Sequence, residues 1–409
     1  EELLKRIGKT TATDTPYEKM LPKGWAWCKL GDLSEFIRNG ISIKQDKGLK
    51  GYPITRIETI SDGSINRERM GYADIYDLSK YEQYLLTKGD ILLSHINSPI
   101  HIGKSAVYTP ISDEEKIIHG MNLLCIRLKE VDSCFINYFF NSKTFRYSLF
   151  PFIKHAVNQA SINIGNLRNI YIPLPPLAEQ HRIVQKIEQL FALVDIIEVN
   201  KKALEKLIEQ AKNQVLSDAI AGKLTRQDPN DEPAEELLKR IGKTTATDTP
   251  YEKLPKGWAW CRLGDIANIQ TGKKDANYGD KNGKYPFFTC ALLPIRCNNY
   301  SFDMEAVLLP GNGANVGEVV YFKGKFEAYQ RTYILNFNIG NIRFFYYVLK
   351  ALWKKSLEGK QFGSATNYIR LSNIEELFFP FPPLAEQHRI FQQIENYFTV
   401  FDQIENELA

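Results

Sequence analysis

The sequence predicts an α+β protein in which one structural frame is used twice around two dissimilar lobes, and three observations carry that reading. Glu1 to Lys19 recur letter for letter as Glu235 to Lys253, and the match runs on through Leu21-Pro-Lys-Gly-Trp-Ala-Trp27 and Leu254-Pro-Lys-Gly-Trp-Ala-Trp260. A second repeat, Pro175-Pro-Leu-Ala-Glu-Gln-His-Arg-Ile183, returns as Pro382-Pro-Leu-Ala-Glu-Gln-His-Arg-Ile390. The enclosed segments, about 34–160 and 267–368, show no alignable resemblance. Each mixes short strand-like and helical runs without βαβ regularity, which is the mark of an α+β domain.

Composition allows this and restricts the partners. A chain of 409 residues has room for two or more domains, and 44% hydrophobic with 24% charged residues describes an ordinary globular protein. The net charge is +4, unevenly spread: residues 267–370 hold 14 Lys and Arg against 7 Asp and Glu, whereas 34–160 hold 16 against 14. A basic surplus on the second insert favours a polyanion partner. Six cysteines lack Cys-x-x-Cys spacing, and Cys28 and Cys261 occupy equivalent places, so both are expected to be small buried residues in a reducing cytoplasm. No apolar run approaches the ~18 residues of a membrane span, and the start does not read as a signal peptide. The chain opens on Glu1 without methionine, so its natural start is expected further upstream.

Along the chain, Pro-Lys-Gly reads as a turn in each copy, after which Trp25 and Trp27 share one face of an extended segment. Strand-like runs follow at Ile91-Leu-Leu, Leu123–Leu128, Ala306–Leu309 and Val319–Phe322, and helical ones at Ile136–Phe140 and Ile342–Leu349. Residues 177–223 form the clearest element: Pro175 and Pro176 block helix before it and Gly222 offers a stop. Apolar residues at Ile183, Ile187, Leu190, Val194, Ile197, Leu204, Ile208, Ala211 and Val215, with Lys201 as the polar entry, repeat every 3.5 residues and predict a coiled-coil seam. About 45 residues would span ~65–70 Å. The second copy continues the seam at Ile390, Ile394, Tyr397, Phe401, Ile404 and Leu408, so the two helices are expected to pack together. Ala409 aligns with Lys202, and Glu1 with Glu235, so the frame is nearly circular and a pseudo-two-fold arrangement is expected. The polar linker 226–233, with two prolines, separates the halves.

Catalytic signals are poor. Three Gly-Lys-Ser/Thr triplets start at Gly8, Gly103 and Gly242, but the upstream glycine of a phosphate loop is replaced by Leu3, Ser98 and Leu237. Gly311-Asn-Gly-Ala-Asn-Val-Gly317 has one residue too many for a dinucleotide loop and precedes a strand-like run, so it reads as a tight turn. The Asn/Asp-Pro-Pro-Tyr/Phe motif of an amino-methyltransferase is absent. Asp113-Glu-Glu-Lys116 reads as a solvated loop, and the six histidines lack metal-ligand spacing.

Side chains suited to base edges and phosphates instead cluster inside the inserts. The first holds Ser94, His95, Asn97, His101 and Lys104 around a Pro99 turn, then Asn158 and Gln159. The second holds Lys273 and Lys274, then Asn312 and Asn315 among glycines, then Gln330, Arg331 and Thr332. Lys354, Lys355, Lys360 and Gln361 follow as a basic stretch. Asn and Gln can bond adenine bidentately, Arg and Lys can bond guanine, and Lys can hold phosphate. As a set on two unlike inserts they point to DNA reading. The repeated Glu-Gln-His-Arg segment sits in a first helical turn, where Glu179 and Glu386 suit the positive helix end, so it is expected to build scaffold or dock a common partner.

The doubled Pro-Leu-Ala-Glu-Gln-His-Arg-Ile motif before a coiled-coil pattern, with the paired Lys-Gly-Trp-x-Trp-x-x-Leu-Gly-Asp segments, resembles the specificity subunits of type I restriction–modification systems, the HsdS family. Ile91-Leu-Leu-Ser-His-Ile-Asn-Ser-Pro and Leu309-Pro-Gly-Asn-Gly-Ala-Asn-Val-Gly are similar to stretches of that family's target-recognition domains. The resemblance implies a first target-recognition domain over 1–172, a central helix and linker over 173–234, a second recognition domain over 235–379, and a C-terminal helix over 380–409. It implies that the long helices lie antiparallel and that each domain reads half of an asymmetric, bipartite site in double-stranded DNA. It further implies two methylation subunits carrying S-adenosylmethionine, and restriction–motor subunits, with catalysis in those partners and no cofactor in this chain. The short second helix departs from the family pattern.

Two other readings stand beside this one. A nuclease or methyltransferase acting alone would modify DNA without partners, against the missing motifs. A pure assembly scaffold would bind with indifference to salt and DNA sequence.

Overall fold

The computed structural model of the chain describes residues 2–12, 21–46, 50–61, 63–98, 101–156, 159–249, 253–359 and 367–408. Two compact units emerge, Glu1–Ile196 and Ile197–Ala409. The boundary falls within one long helix, so each unit holds one half of it.

The first unit begins its frame with strand β1 (Ala26–Lys29) and carries the insert on β2 (Ser34–Asn39), β3 (Ile91–Leu93), β4 (Ile96–Asn97), β5 (Ser105–Val107) and β6 (Leu124–Leu128). Helix α1 (Ser133–Phe140), β7 (Gln159–Ser161) and β8 (Tyr171–Leu174) complete it. The insert sheet runs β2-β6-β3-β5, every neighbour antiparallel. Its core is the apolar run that the sequence shows: Ile91, Leu93, Leu124 and Ile126 are buried against Phe140 and Phe145. Such runs are buried on both faces, so they lack the polar alternation of a half-wet strand. Asp132 caps α1 by accepting the Cys134 and Phe135 backbone N–H groups.

Then comes α2 (Leu177–Ile220), 44 residues without a break. It stops where the sequence places its stop: Gly222 takes φ +66°, and Lys223 N–H donates to the Asp218 carbonyl at 2.8 Å. That left-handed residue closes a C-terminal cap which only glycine adopts without strain.

The second unit repeats the plan with α3 (Ala234–Arg240), β9 (Ala259–Arg262), β10 (Ala267–Thr271), β11 (Tyr285–Phe288), β12 (Ile295–Cys297), β13 (Phe302–Pro310), β14 (Val320–Ala328) and β15 (Thr332–Phe337). After them come α4 (Ile342–Ser356), β16 (Phe378–Phe381) and α5 (Leu384–Leu408). The sheet order is β10-β15-β13-β14-β11-β12. Its first four strands match β2-β6-β3-β5 of the first unit in order and antiparallel direction. Two inserts that cannot be aligned by sequence therefore share one core sheet.

The frames superimpose in detail. Ala26 pairs with Leu174 and Cys28 with Ile172 in one, Ala259 with Phe381 and Cys261 with Phe379 in the other. Both cysteines are fully buried free thiols. The repeated motif works as a latch. Gln180 accepts the Asp132 N–H at 2.9 Å and donates to the Pro175 carbonyl, while Gln387 does the same with Asn341 and Pro382. Each glutamine thus ties the start of a long helix to the capping residue of the insert helix. Both are completely buried, and a buried amide is stable only when it is paired in this way.

Within the second unit, α5 lies against α4 through Tyr347 with Phe391 and Phe398. It also lies against the end of α2, where Leu216 and Ala219 share a core with Ile390 and Ile394. Lys212 reaches Asp402 at 2.8 Å and Glu405 at 2.9 Å, and Gln227 reaches Glu386 at 3.1 Å. Rising numbers on one chain segment meet falling numbers on the other, so these segments are antiparallel.

The seam expected from the 3.5-residue period is only partly closed. Ile208, Ile390 and Ile394 are buried, and Val215, Phe401, Ile404 and Leu408 are half-buried. Ile183 and Ile187 are half-buried within the first unit. Leu190, Val194, Ile197 and Leu204 are exposed, as is Tyr397. Geometry explains the difference. The 25 residues of α5 extend ~37 Å and have passed Lys212 by Glu405, so within the second unit they stop short of Leu204.

Candidate nucleic-acid interface

At one end of each insert sheet, three segments meet: the loop after the third core strand, the turn entering the second, and the tail returning to the frame. In the second unit the loop is Gly311–Gly317. Gly311 N–H donates to the Arg331 carbonyl at 2.8 Å, the Gly311 carbonyl accepts from Ile369 at 3.0 Å, and Gly313 N–H donates to the Asn367 carbonyl at 2.8 Å. A Cβ at position 311 would stand 2.3 Å from the Arg331 carbonyl oxygen, so only glycine admits this approach. The expected tight turn is present, and no helix follows it.

The structure brings together most of the residues singled out in this insert. Thr332 is buried and donates to the Phe288 carbonyl at 3.2 Å. Asn315 donates to the Cys290 carbonyl at 2.8 Å, and Gln330 donates to Asp275 at 3.1 Å. Asn312 forms a backbone bridge with Tyr368. These four hold the loops in place. Lys274 sits over the Tyr278 ring at 4.6 Å and its carbonyl anchors the Gln330 N–H; Lys273 beside it is exposed. Lys354, in the last turn of α4, packs beside Gly317, and Lys355 is exposed next to it. Lys360 and Gln361 lie outside the described residues.

Arg331 differs from its neighbours. Its side chain is exposed, and the guanidinium has no hydrogen-bond or ion-pair partner among the described residues. It borders an open polar depression of about 300 Å³ with Gly311, Gln330, Tyr333 and Ile369. Burial raises the pKa of the Tyr333 phenol, and the Arg331 charge opposes that rise. A free guanidinium at the rim of a polar depression is suited to a bidentate acceptor such as a guanine edge or a phosphate.

The first unit builds the same junction with other side chains. Ile162 N–H donates to the His95 carbonyl at 3.0 Å, and Asn97 pairs with Ala160 across β4 and β7. Ser94 is buried and accepts from Asn97 Nδ2 at 3.0 Å, Asn97 Oδ1 accepts the Ser98 N–H at 2.8 Å, and Lys104 Nζ donates to the Ser61 carbonyl at 2.9 Å. The polar groups of Ser94, Asn97 and Lys104 are thereby engaged in shaping their own loop. His95 is buried with Nδ1 unpaired, and burial holds its pKa below the ordinary imidazole value. His101 is exposed. Gln159 lies in β7, which brings its backbone to this junction, while Asn158 falls outside the described residues. Sequence reasoning missed Asn122, exposed in the turn entering β6; nothing local marks it, because its place follows only from strand pairing.

No three His, Cys, Asp or Glu side chains converge as a metal site among the described residues, and no helix there is long and apolar enough to cross a membrane. The junctions offer hydrogen-bonding and cationic side chains.

Comparison with known proteins agrees with this arrangement. The family described as the type I restriction modification DNA specificity domain matches twice, over residues 22–206 and 255–409. The MjaX specificity subunit of a type I restriction enzyme from Methanocaldococcus jannaschii is 30% identical over 385 residues, spanning 91% of this chain and 87% of that one. The EcoDI specificity subunit of Escherichia coli is 38% identical over 157 residues, 38% of this chain and 34% of its own. The crystal structure of an HsdS subunit from Thermoanaerobacter tengcongensis shares the fold with a TM-score of 0.61 at 19% identity, covering 97% of this chain and 94% of that one. Two matched domains on a doubled frame, and a relative alike over nearly its whole length, place this chain in the type I restriction–modification DNA specificity family.

Proposed function

We propose that this chain is the non-catalytic DNA-specificity subunit of a type I restriction–modification complex in the cytoplasm, each unit reading one half of an asymmetric bipartite site. One observation carries the reading: two inserts with a common core sheet present different polar side chains at the same junction, which is what two readers of unlike sequences require. The reading places S-adenosylmethionine and methyl transfer on two methylation subunits and cleavage on restriction–motor subunits. Methylation of a base requires that it leave the stack, so the reading units must accept distorted DNA. Two readers engage successive major grooves when their spacing suits the roughly 34 Å helical repeat of DNA.

The long helix supports the docking role. Leu190, Phe191, Leu193, Val194, Ile196 and Ile197 form an exposed apolar stretch of α2, and an apolar surface of this kind marks a protein interface. Asp195 and Glu198 occupy on α2 the places that Asp402 and Glu405 hold on α5, where they clasp Lys212. A methylation-subunit surface that is apolar with a basic side chain fits this stretch.

Footprinting of the chain with its methylation partner on target DNA tests the reading. Two short protected blocks with an unread gap are expected; one continuous block, or protection indifferent to sequence, would refute it. Exchange of residues 34–160 for another insert is expected to change one half-site and leave the other.

A further inference from the structure

The two units can be put in register at single-residue resolution, although their inserts cannot be aligned. In the first unit, Ile41 bridges Gly120 in parallel and the Ile41 carbonyl accepts the Met121 N–H at 3.1 Å; three residues after Met121, Leu124 pairs with Leu93. In the second, Lys274 bridges Tyr329 in parallel and its carbonyl accepts the Gln330 N–H at 3.0 Å; Tyr333 then pairs with Leu309. The intervening chain has the same length in both. Met121-Asn122 and Gln330-Arg331 are therefore the same two-residue turn. The facing loops correspond as well, since His95 and Gly311 each accept a backbone N–H at 3.0 Å, from Ile162 and Ile369.

The second residue of this turn is exposed in both units, and neither the Asn122 nor the Arg331 side chain has a hydrogen-bond or ion-pair partner among the described residues. Ser94, Asn97 and Lys104 in one unit, and Asn315, Gln330 and Thr332 in the other, are engaged in hydrogen bonds within the protein. Each unit thus presents one uncommitted, multidentate side chain at an equivalent place on a rigid sheet end, and the two differ in chemistry. Asparagine matches the N6/N7 edge of adenine, and arginine matches the O6/N7 edge of guanine.

We infer that this turn is the base-reading position of both units, with Asn122 selecting an adenine in one half-site and Arg331 a guanine in the other. The inference rests on the bipartite-reading proposal and specifies its residues. It also explains how one scaffold reads two sequences: a single register position is occupied by two different readers.

The test is selection from a randomised duplex DNA library by the full chain assembled with its methylation subunits. Wild type is expected to return two defined half-sites. Arg331→Ala should relax one G·C pair in a single half-site, lowering discrimination there roughly 5- to 150-fold, and Asn122→Ala should relax one A·T pair in the other. Arg331→Asn should convert the relaxed G·C preference to A·T, a change that a merely structural role does not produce. Both side chains are exposed, so the complexes should assemble normally. Defined wild-type half-sites that remain unchanged in both alanine variants would overturn the inference while leaving bipartite reading intact. A wild type that returns no bipartite site would overturn both.

Discussion

Trp258 donates its indole N–H to Glu386 Oε2 at 2.9 Å, joining residues 128 apart, and its counterpart Trp25 does the same to Glu179 at 3.1 Å. The repeated Trp-Ala-Trp and Ala-Glu-Gln motifs are thus two ends of one latch. They hold the strand that opens each frame to the first turn of the long helix that closes it. The repetition of both motifs follows from this coupling.

Glu386 is buried and also accepts from Gln227 at 3.1 Å and Thr225 at 3.5 Å; Gln227 keeps the Gly222 carbonyl as a second acceptor, so truncation strands the buried Trp258 indole N–H. Glu386→Ala should destabilise by ~2–3 kcal/mol, and Glu179→Ala, at the half-buried latch, by about 1 kcal/mol or less. Urea midpoints of the two variants measure the contrast. Equal losses would show that burial does not set the strength of the latch.

Acid should weaken the first unit in two stages. His119 is buried, and desolvation lowers its pKa from 6.5 to about 4. The folded state therefore resists a proton that the unfolded state accepts, and the resulting stability, full above the unfolded value, is lost as pH falls towards 4. Glu115 is held at about 2 against an ordinary 4.5, first by the Arg67 hydrogen bond, so its contribution disappears between those values. Thermal melts from pH 7 to pH 3 should show a declining midpoint, and His119→Gln should flatten the upper part of the decline. A variant with an unchanged profile would remove His119 as the cause.

Lys212 links α2 to α5 through Asp402 and Glu405 and lies 5.8 Å from the Phe398 ring centre. Both carboxylates are largely exposed, so Lys212→Met should cost about 1 kcal/mol or less, and the cost should shrink in high salt. Denaturation at low and high ionic strength checks this. A large loss that ignored salt would assign the role to packing of the lysine stem instead.

The exposed stretch of α2 should separate assembly from folding. Leu190→Glu with Val194→Glu alters side chains that are 49% and 48% exposed, so the melting temperature of the isolated chain should stay close to wild type. Association with the methylation subunits should fail, as read by light scattering of the reconstituted complex. Normal assembly would place the docking surface elsewhere.

How much the residues reveal differs by element. The long helix is legible in its proline entry, its glycine exit and its periodicity. The apolar runs Ile91–Leu93 and Leu123–Leu128 announce strands. The seam is legible as a pattern, but its occupancy is not. Leu190 and Ile394 follow the same spacing, yet one is exposed and the other buried, because helix length and direction decide what each one meets. Candidate DNA contacts read from residue type alone differ in what they touch: the Asn97, Asn315 and Gln330 side chains hydrogen-bond within the protein, whereas the Arg331 guanidinium has no such partner among the described residues.

From the sequence alone came the doubled frame, the two unlike inserts, the helix that joins the units and the family resemblance, because each is written in local periodicity or literal repetition. Only the tertiary structure showed that the inserts share one sheet order, and that Asn122 and Arg331 occupy a common position. The reason is physical. Strand order and register arise from hydrogen bonds between residues distant in sequence, and short apolar runs are interchangeable until those pairings choose among them.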